Sequence, residues 1–92
     1  MIKNELAILI KNSRENMKIS QRELSRRSGV DNNTISKIEK GIRKKPNVIS
    51  LIKLGDSLNI EISKLLNASG YSKNEIQMFI AGGTYIVFEK EK

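Results

Sequence analysis

The side chains with which this chain could do chemistry are amides, hydroxyls, carboxylates and cations, because its 92 residues include no cysteine and no histidine. Thiolate and imidazole metal sites, Cys and Ser–His nucleophiles and histidine acid/base catalysis are thereby excluded, so we expect no enzyme and no cofactor. Between Ser20 and Gly41, apolar Ile35 and Ile38 have the spacing of one helix face. The polar residues on the opposite face are Asn32, Asn33, Ser36, Lys37 and Lys40. Since Asn can bond adenine N6 and N7 and Lys can donate to guanine O6 or N7, this face suits a DNA major groove.

Two short helices joined by a tight turn are predicted to position these groups. Ser20 and Glu23 have the spacing of a capping box, which indicates the start of the first of the two helices. Gly29 is expected to end that helix in the left-handed conformation. Asp31 can then cap the second, polar-faced helix.

The excess of basic over acidic residues is confined to the half of the chain that contains these two helices. Residues 1 to 45 hold 12 lysines and arginines against 5 acidic residues, whereas residues 46 to 92 hold 5 against 5. A one-sided basic field attracts a polyanion and raises its encounter rate. The alternative is that scattered lysines only keep a small protein soluble.

The aromatic residues lie in the other half of the chain, and they are Tyr71, Phe79, Tyr85 and Phe88. Proteins that bind single strands or RNA usually stack bases on aromatic side chains. The absence of aromatic residues from the basic half therefore favours duplex DNA as the polyanion.

The length and the apolar content, 38% of 92 residues, predict one small helical domain. Its longest apolar run, Leu6 to Ile10, is far shorter than the roughly 20 residues that a membrane span needs. We therefore expect a soluble, cytoplasmic protein without membrane contact.

Three further helices are predicted around the central pair. The fourth helix begins after a cap at Asn47, and the fifth runs from residue 61 to about residue 68. The first helix covers residues 2 to 16, and the residues expected to face the core in or just after it are Ile2, Leu6, Leu9, Ile10 and Met17.

The last 22 residues are predicted to form a C-terminal extension. Ser72 and Glu75 repeat the capping-box spacing, which indicates a short sixth helix, and residues 84–88 have strand propensity. Because a lone apolar strand leaves backbone groups unsatisfied, we expect dimerisation or partner binding here. The residues assigned to that contact are Tyr71, Phe79, Tyr85, Ile86, Val87 and Phe88. The alternative is that the segment covers the core of its own domain.

The central stretch resembles the helix-turn-helix of the Xre/Cro family of phage-repressor-like regulators. The matching apolar and glycine positions are Leu24, Gly29, Val30, Ile35 and Ile38. The ending Glu39-Lys40-Gly41 and the basic loop before Pro46 are similar as well. The likeness covers roughly residues 5 to 70 and departs at Ser25 and Gly55, where Ala is commoner in the family. It implies a compact all-α, five-helix, lambda-repressor-like bundle as a DNA-binding domain in residues 1–70, with the extension in residues 71–92.

The resemblance also implies a role for each polar residue. By it, Asn32, Asn33 and Lys37 face base edges. Gln21 touches a phosphate. The residues at the groove's edges and along the DNA backbone are Thr34, Ser36, Lys40, Arg43, Lys44 and Lys45. Arg14 and Glu39 would form an internal ion pair between the first helix and the end of the third. The alternatives are that the asparagines merely favour a helix N-terminus and that the lysines only contact solvent.

Together, residues and resemblance predict a sequence-specific transcriptional regulator, acting as a repressor, that binds a palindromic operator in double-stranded DNA as a homodimer. One rival of the same fold is an antitoxin or restriction-modification controller whose residues 71–92 bind a partner protein. A rival of another class is a basic interaction module that binds nucleic acid without regard to sequence.

Overall fold

Side-chain caps determine where four of the five helices begin. The computed structural model describes residues 4–78. Its helices are α1 Glu5–Asn16, α2 Gln21–Ser28, α3 Asn32–Glu39, α4 Val48–Leu58 and α5 Ile62–Ala68. The caps, each accepting a hydrogen bond from a backbone N–H of the following turn, are Asn4, Ser20, Asp31 and Asn47. Residues 73–78 are helical too. Each cap satisfies a donor that the helix itself leaves unpaired.

Left-handed residues end α2 and α4. Gly29 follows α2 with φ +80°, and Asn59 follows α4 with φ +62°. Glycine adopts this conformation without a steric penalty, and asparagine tolerates it better than most residues do. The chain can therefore turn sharply at both places.

The core is formed by the inward side of every helix. α1 packs against α3, α4 and α5, while α2 packs against α3 and α4. The buried residues of the cluster are Leu6, Ile10, Leu24, Val30, Ile35, Ile38, Leu51, Leu54, Leu58, Leu65 and Leu66. The predicted all-α fold is thereby confirmed, and no strand occurs among residues 4–78.

Two details of α1 differ from the prediction. The helix begins at Glu5, because Asn4 caps it by accepting from the N–H of Ala7 at 3.0 Å. The prediction that Met17 faces the core is wrong, since Met17 lies just after the helix and is 39% exposed. Ile19 packs against the core after the turn instead. Ile2 lies outside the described residues.

The predicted capping box of α2 is only half formed. The Oγ of Ser20 accepts from the Glu23 N–H at 3.0 Å. The Glu23 carboxylate, however, accepts from Arg26 and Arg27, at 2.6 and 2.7 Å for the shortest bond to each. These hydrogen bonds lower the pKa of Glu23, and the bond from Arg26 has the largest effect. Two charge-assisted bonds outweigh one bond to a backbone N–H, so this carboxylate stays with the arginines.

Of the C-terminal extension, only residues 71–78 are described. The sixth-helix capping box is complete, because the Ser72 N–H donates to Glu75 Oε1 at 2.7 Å and the Glu75 N–H donates to Ser72 Oγ at 3.1 Å. The predicted strand, residues 84–88, lies outside the described part. Among residues 4–78, no helix has the length and apolar character that crossing a membrane requires.

Candidate nucleic-acid interface

The outer face of α3, formed by Asn32, Asn33, Ser36, Lys37 and Lys40, lies opposite a fully buried edge. Ile35 and Ile38 are 0% exposed, whereas Asn32, Asn33 and Lys40 are exposed. Thr34, Ser36 and Lys37 are half-buried. The two isoleucines hold the helix against α1 and α2, so its amides and cations project from a fixed support.

The turn before α3 is fixed by a set of short hydrogen bonds. The Gly29 N–H donates to the Ser25 carbonyl at 2.8 Å, and the Ser25 hydroxyl donates to the Val30 carbonyl at 2.6 Å. The Val30 N–H in turn donates to Ser28 Oγ at 3.0 Å. The hydroxyl of Ser25, a departure from the family pattern, therefore satisfies a carbonyl that an alanine would leave without this partner.

The end of α3 leads into the basic loop (residues 41–46) in a defined geometry. Gly41 has φ +80°, and its N–H donates to the Ile38 carbonyl at 3.0 Å. The N–H groups of Ile42 and Arg43 both donate to the Lys37 carbonyl, at 2.9 and 3.0 Å. This is the hydrogen-bond pattern of a Schellman ending, which satisfies the last carbonyls of the helix. Exposed Arg43 and Lys44 therefore start from a fixed position beside the outer face of α3.

Lys45 differs from the other cations of the loop because it contacts the C-terminal extension. Its Nζ lies 4.5 Å from the centroid of the Tyr71 ring and 3.8 Å from Glu75 Oε2. The pKa of Glu75 is lowered, first by the hydrogen bond from the Ser72 backbone and then by Lys45 among smaller causes. In the sequence Lys45 is 26 residues from Tyr71 and 30 residues from Glu75, so no local spacing rule reveals these contacts.

Gln21, expected at a phosphate, contacts Glu39 in the structure. Its Nε2 donates to Glu39 Oε1 at 2.9 Å, so the amide spans from the first turn of α2 to the last residue of α3. The phosphate contact of Gln21 stays a prediction, and the side chain has to exchange or share its bond to Glu39 to make it.

Arg14 and Glu39 form a two-bond ion pair between α1 and the end of α3. Arg14 Nε donates to Glu39 Oε2 at 2.7 Å and Arg14 Nη2 donates to Oε1 at 3.0 Å, while Nη1 donates to the Ile19 carbonyl at 2.8 Å. The exposed fractions of the two side chains are 12% and 4%. The hydrogen bond to Glu39 raises the pKa of Arg14 against the opposing effect of burial. The pair therefore connects α1 to the helix that carries the candidate contacts.

The residues assigned to dimer or partner contact are only partly described. Tyr71 is half-buried, packs against the core of its own chain and donates its hydroxyl hydrogen to the Pro46 carbonyl at 2.9 Å. Tyr71 thus contacts its own domain, and its assignment to a dimer or partner contact stays a prediction. The remaining assigned residues, which lie outside the described part, are Phe79, Tyr85, Ile86, Val87 and Phe88.

The comparisons with known proteins bear on the same region. Residues 10–65 match a protein-family model described as helix-turn-helix. The match spans more than half of the chain and includes α2, the turn, α3 and α4. Neither the curated proteins nor the solved structures give a match.

Proposed function

The chain belongs to the Xre/Cro, lambda-repressor-like helix-turn-helix family of DNA-binding regulators, and from that premise we propose that it recognises a specific operator in double-stranded DNA through the outer face of α3. In this proposal Asn32, Asn33 and Lys37 contact base edges. The residues that contact groove edges and phosphates are Gln21, Thr34, Ser36, Lys40, Arg43, Lys44 and Lys45.

The observation that supports the proposal most directly is the division of α3 into two sides. One side is fully buried at Ile35 and Ile38, while Asn32 and Asn33 at its N-terminal end are exposed. A recognition helix contacts bases mainly through residues near its N-terminus, and Asn is the side chain that pairs with adenine in two bonds. An adenine-containing half-site is therefore the preferred target.

Phosphate contacts and base contacts have separate sources in this arrangement. Exposed Arg43 and Lys44 extend from the basic loop, which follows α3 directly. Phosphate contacts fix the position of a protein on the duplex but carry no sequence information. The loop would supply affinity, and the outer face of α3 would supply discrimination.

We further propose that the protein acts in the cytoplasm as a homodimeric repressor on a palindromic operator. One recognition helix offers few base contacts, whereas two copies double them at half-sites about 34 Å apart, one turn of the duplex. Repression would follow from excluding polymerase from the bound site.

Selection from a random duplex library tests the proposal. The expected product is a single inverted repeat with adenine in each half-site, bound by a species of twice the mass of the chain in light scattering. Recovery of unrelated sequences with equal, salt-sensitive affinity would contradict sequence-specific binding and favour the sequence-blind module. A specific site bound by a single copy would contradict only the dimer.

A further inference from the structure

Lys45 is the one cation of the basic loop that residues 4–78 place in both an ion pair and an aromatic contact. Its ammonium lies between the Tyr71 ring, 4.5 Å away, and the Glu75 carboxylate, 3.8 Å away. Arg43 and Lys44, the other two cations of the loop, form no ion pair within the same described range. The loop thus holds two cations facing solvent and a third shared with the C-terminal segment (residues 71–78).

The C-terminal segment is held against the loop by contacts that do not depend on Lys45. The Tyr71 hydroxyl donates to the Pro46 carbonyl at 2.9 Å, and Pro46 is itself fully buried. Tyr71 and Ile76 pack against the core, and the reciprocal Ser72–Glu75 bonds fix the first turn of the helical segment. Glu75 is therefore positioned beside Lys45 by the fold rather than by the ion pair alone.

We propose that Lys45 is shared between the C-terminal segment and the DNA backbone, so that Glu75 competes with a phosphate and weakens duplex binding. This inference rests on the proposed function, since it takes Lys45 to be a phosphate contact. A phosphate that approaches Lys45 meets the Glu75 carboxylate within ion-pair distance of the same ammonium. The two anions repel each other, so Lys45 must leave Glu75 or hold both at an electrostatic cost.

The coupling works in both directions. Whatever draws residues 71–78 away from the loop also frees Lys45, and DNA that takes Lys45 weakens the attachment of the segment, because linkage between two binding events is reciprocal. The C-terminal segment would thereby adjust the affinity for DNA without touching a base.

The test is Glu75→Gln, compared with Asp56→Asn as the control of equal charge change. Gln keeps the capping-box geometry with Ser72, so the segment is expected to stay folded. Asp56 is exposed and lies near the C-terminal end of α4, whereas the basic loop precedes the N-terminal end of that helix. It forms no ion pair within residues 4–78. Because Lys45 and Glu75 keep 49% and 45% of their side chains exposed, removing the competitor should tighten duplex binding by roughly two- to fivefold. The salt dependence should steepen by up to about 0.9 in slope as one more counterion is released.

Lys45→Ala tests the same contact a second time. In the wild-type background it should cost less affinity than Lys44→Ala, whereas in the Glu75→Gln background the two losses should be equal. Equal effects of Glu75→Gln and Asp56→Asn would overturn the competition, and so would weaker binding by Glu75→Gln or a gain that persists without Lys45. If the wild-type chain binds no duplex at low salt, the proposed function itself fails, and that outcome is read before any variant is compared.

Discussion

Removing Arg14 should test how strongly the buried ion pair connects α1 to the end of α3. In Arg14→Met, Glu39 loses two hydrogen bonds and its counter-charge, and retains the bond from the Gln21 amide. The Glu39 side chain is only 4% exposed, so water cannot fully replace the guanidinium. A buried charge left without its partner is the most costly form of such a loss.

The magnitude follows from the burial of the two partners. Breaking a fully buried pair costs ~3–5 kcal/mol, and we expect about 3 kcal/mol here because Arg14 keeps some contact with water. For a domain of this size the melting temperature should fall by roughly 12 to 24 °C. The variant should still fold in the cold, since small domains have about 5–15 kcal/mol of stability.

Urea unfolding followed by far-ultraviolet circular dichroism measures this loss. The control is the double variant Arg14→Met/Glu39→Met, which replaces the pair with apolar side chains of similar length and removes the uncompensated charge. It should be more stable than Arg14→Met alone. A loss below ~1 kcal/mol for Arg14→Met, the value of an exposed pair, would refute the reasoning. So would a loss in the double variant equal to the sum of the losses in Arg14→Met and Glu39→Met.

Two further predictions concern the core and the C-terminal segment. A Cβ at Gly55 would lie 2.7 Å from the Ile60 carbonyl oxygen and 2.9 Å from Leu65 Cδ1. Gly55→Ala should therefore lose about 1 kcal/mol or more in urea unfolding, despite the better helix propensity of Ala, and unchanged stability would contradict the close approach. Burial, and then the charge of Glu75, raise the pKa of Tyr71. Because the folded-state pKa is raised, its contribution to stability is complete below about pH 10 and is lost as the pH rises above that value. Tyr71→Phe should remove this loss of stability at alkaline pH. If the variant loses stability in the same way, groups other than Tyr71 cause the loss and the prediction is wrong.

Local rules in the sequence predict the framework of the site. Ser20, Asp31 and Asn47 are short polar residues ahead of apolar helical patterns, and each caps a helix. Gly29 and Gly41 both adopt the left-handed conformation. These features depend on interactions within four or five residues, so residue type and spacing are enough to find them.

Competition between partners is less accessible to such rules. Glu23 has the spacing for a capping box and also for ion pairs with Arg26 and Arg27, and only the geometry shows that the arginines take the carboxylate. Gln21 has the position of a phosphate contact, yet its amide binds Glu39, 18 residues away. A sequence pattern identifies the groups but does not decide between two available partners.

Contacts between distant segments are the least predictable part. Glycine is needed at position 55 because a Cβ there would approach the carbonyl oxygen of Ile60, which lies beyond the end of α4. The resemblance to the family gives no sign of this, since Ala is commoner at that position. Lys45 meets Tyr71 and Glu75 only because the chain returns to the basic loop after α5. Such placements depend on the packing of the whole fold rather than on local propensity.

The central claim is that the outer face of α3 discriminates between DNA sequences while the basic loop contributes affinity alone. Binding of the selected operator and of a random duplex, each titrated across salt, measures both properties for Asn33→Ala, Lys37→Ala and Lys44→Ala. We expect the first two variants to reduce the preference for the operator, by roughly 1–3 kcal/mol for each good base contact. Lys44→Ala should weaken both duplexes alike and flatten the salt slope by about 1. An undiminished preference for the operator in Asn33→Ala and Lys37→Ala would contradict the account.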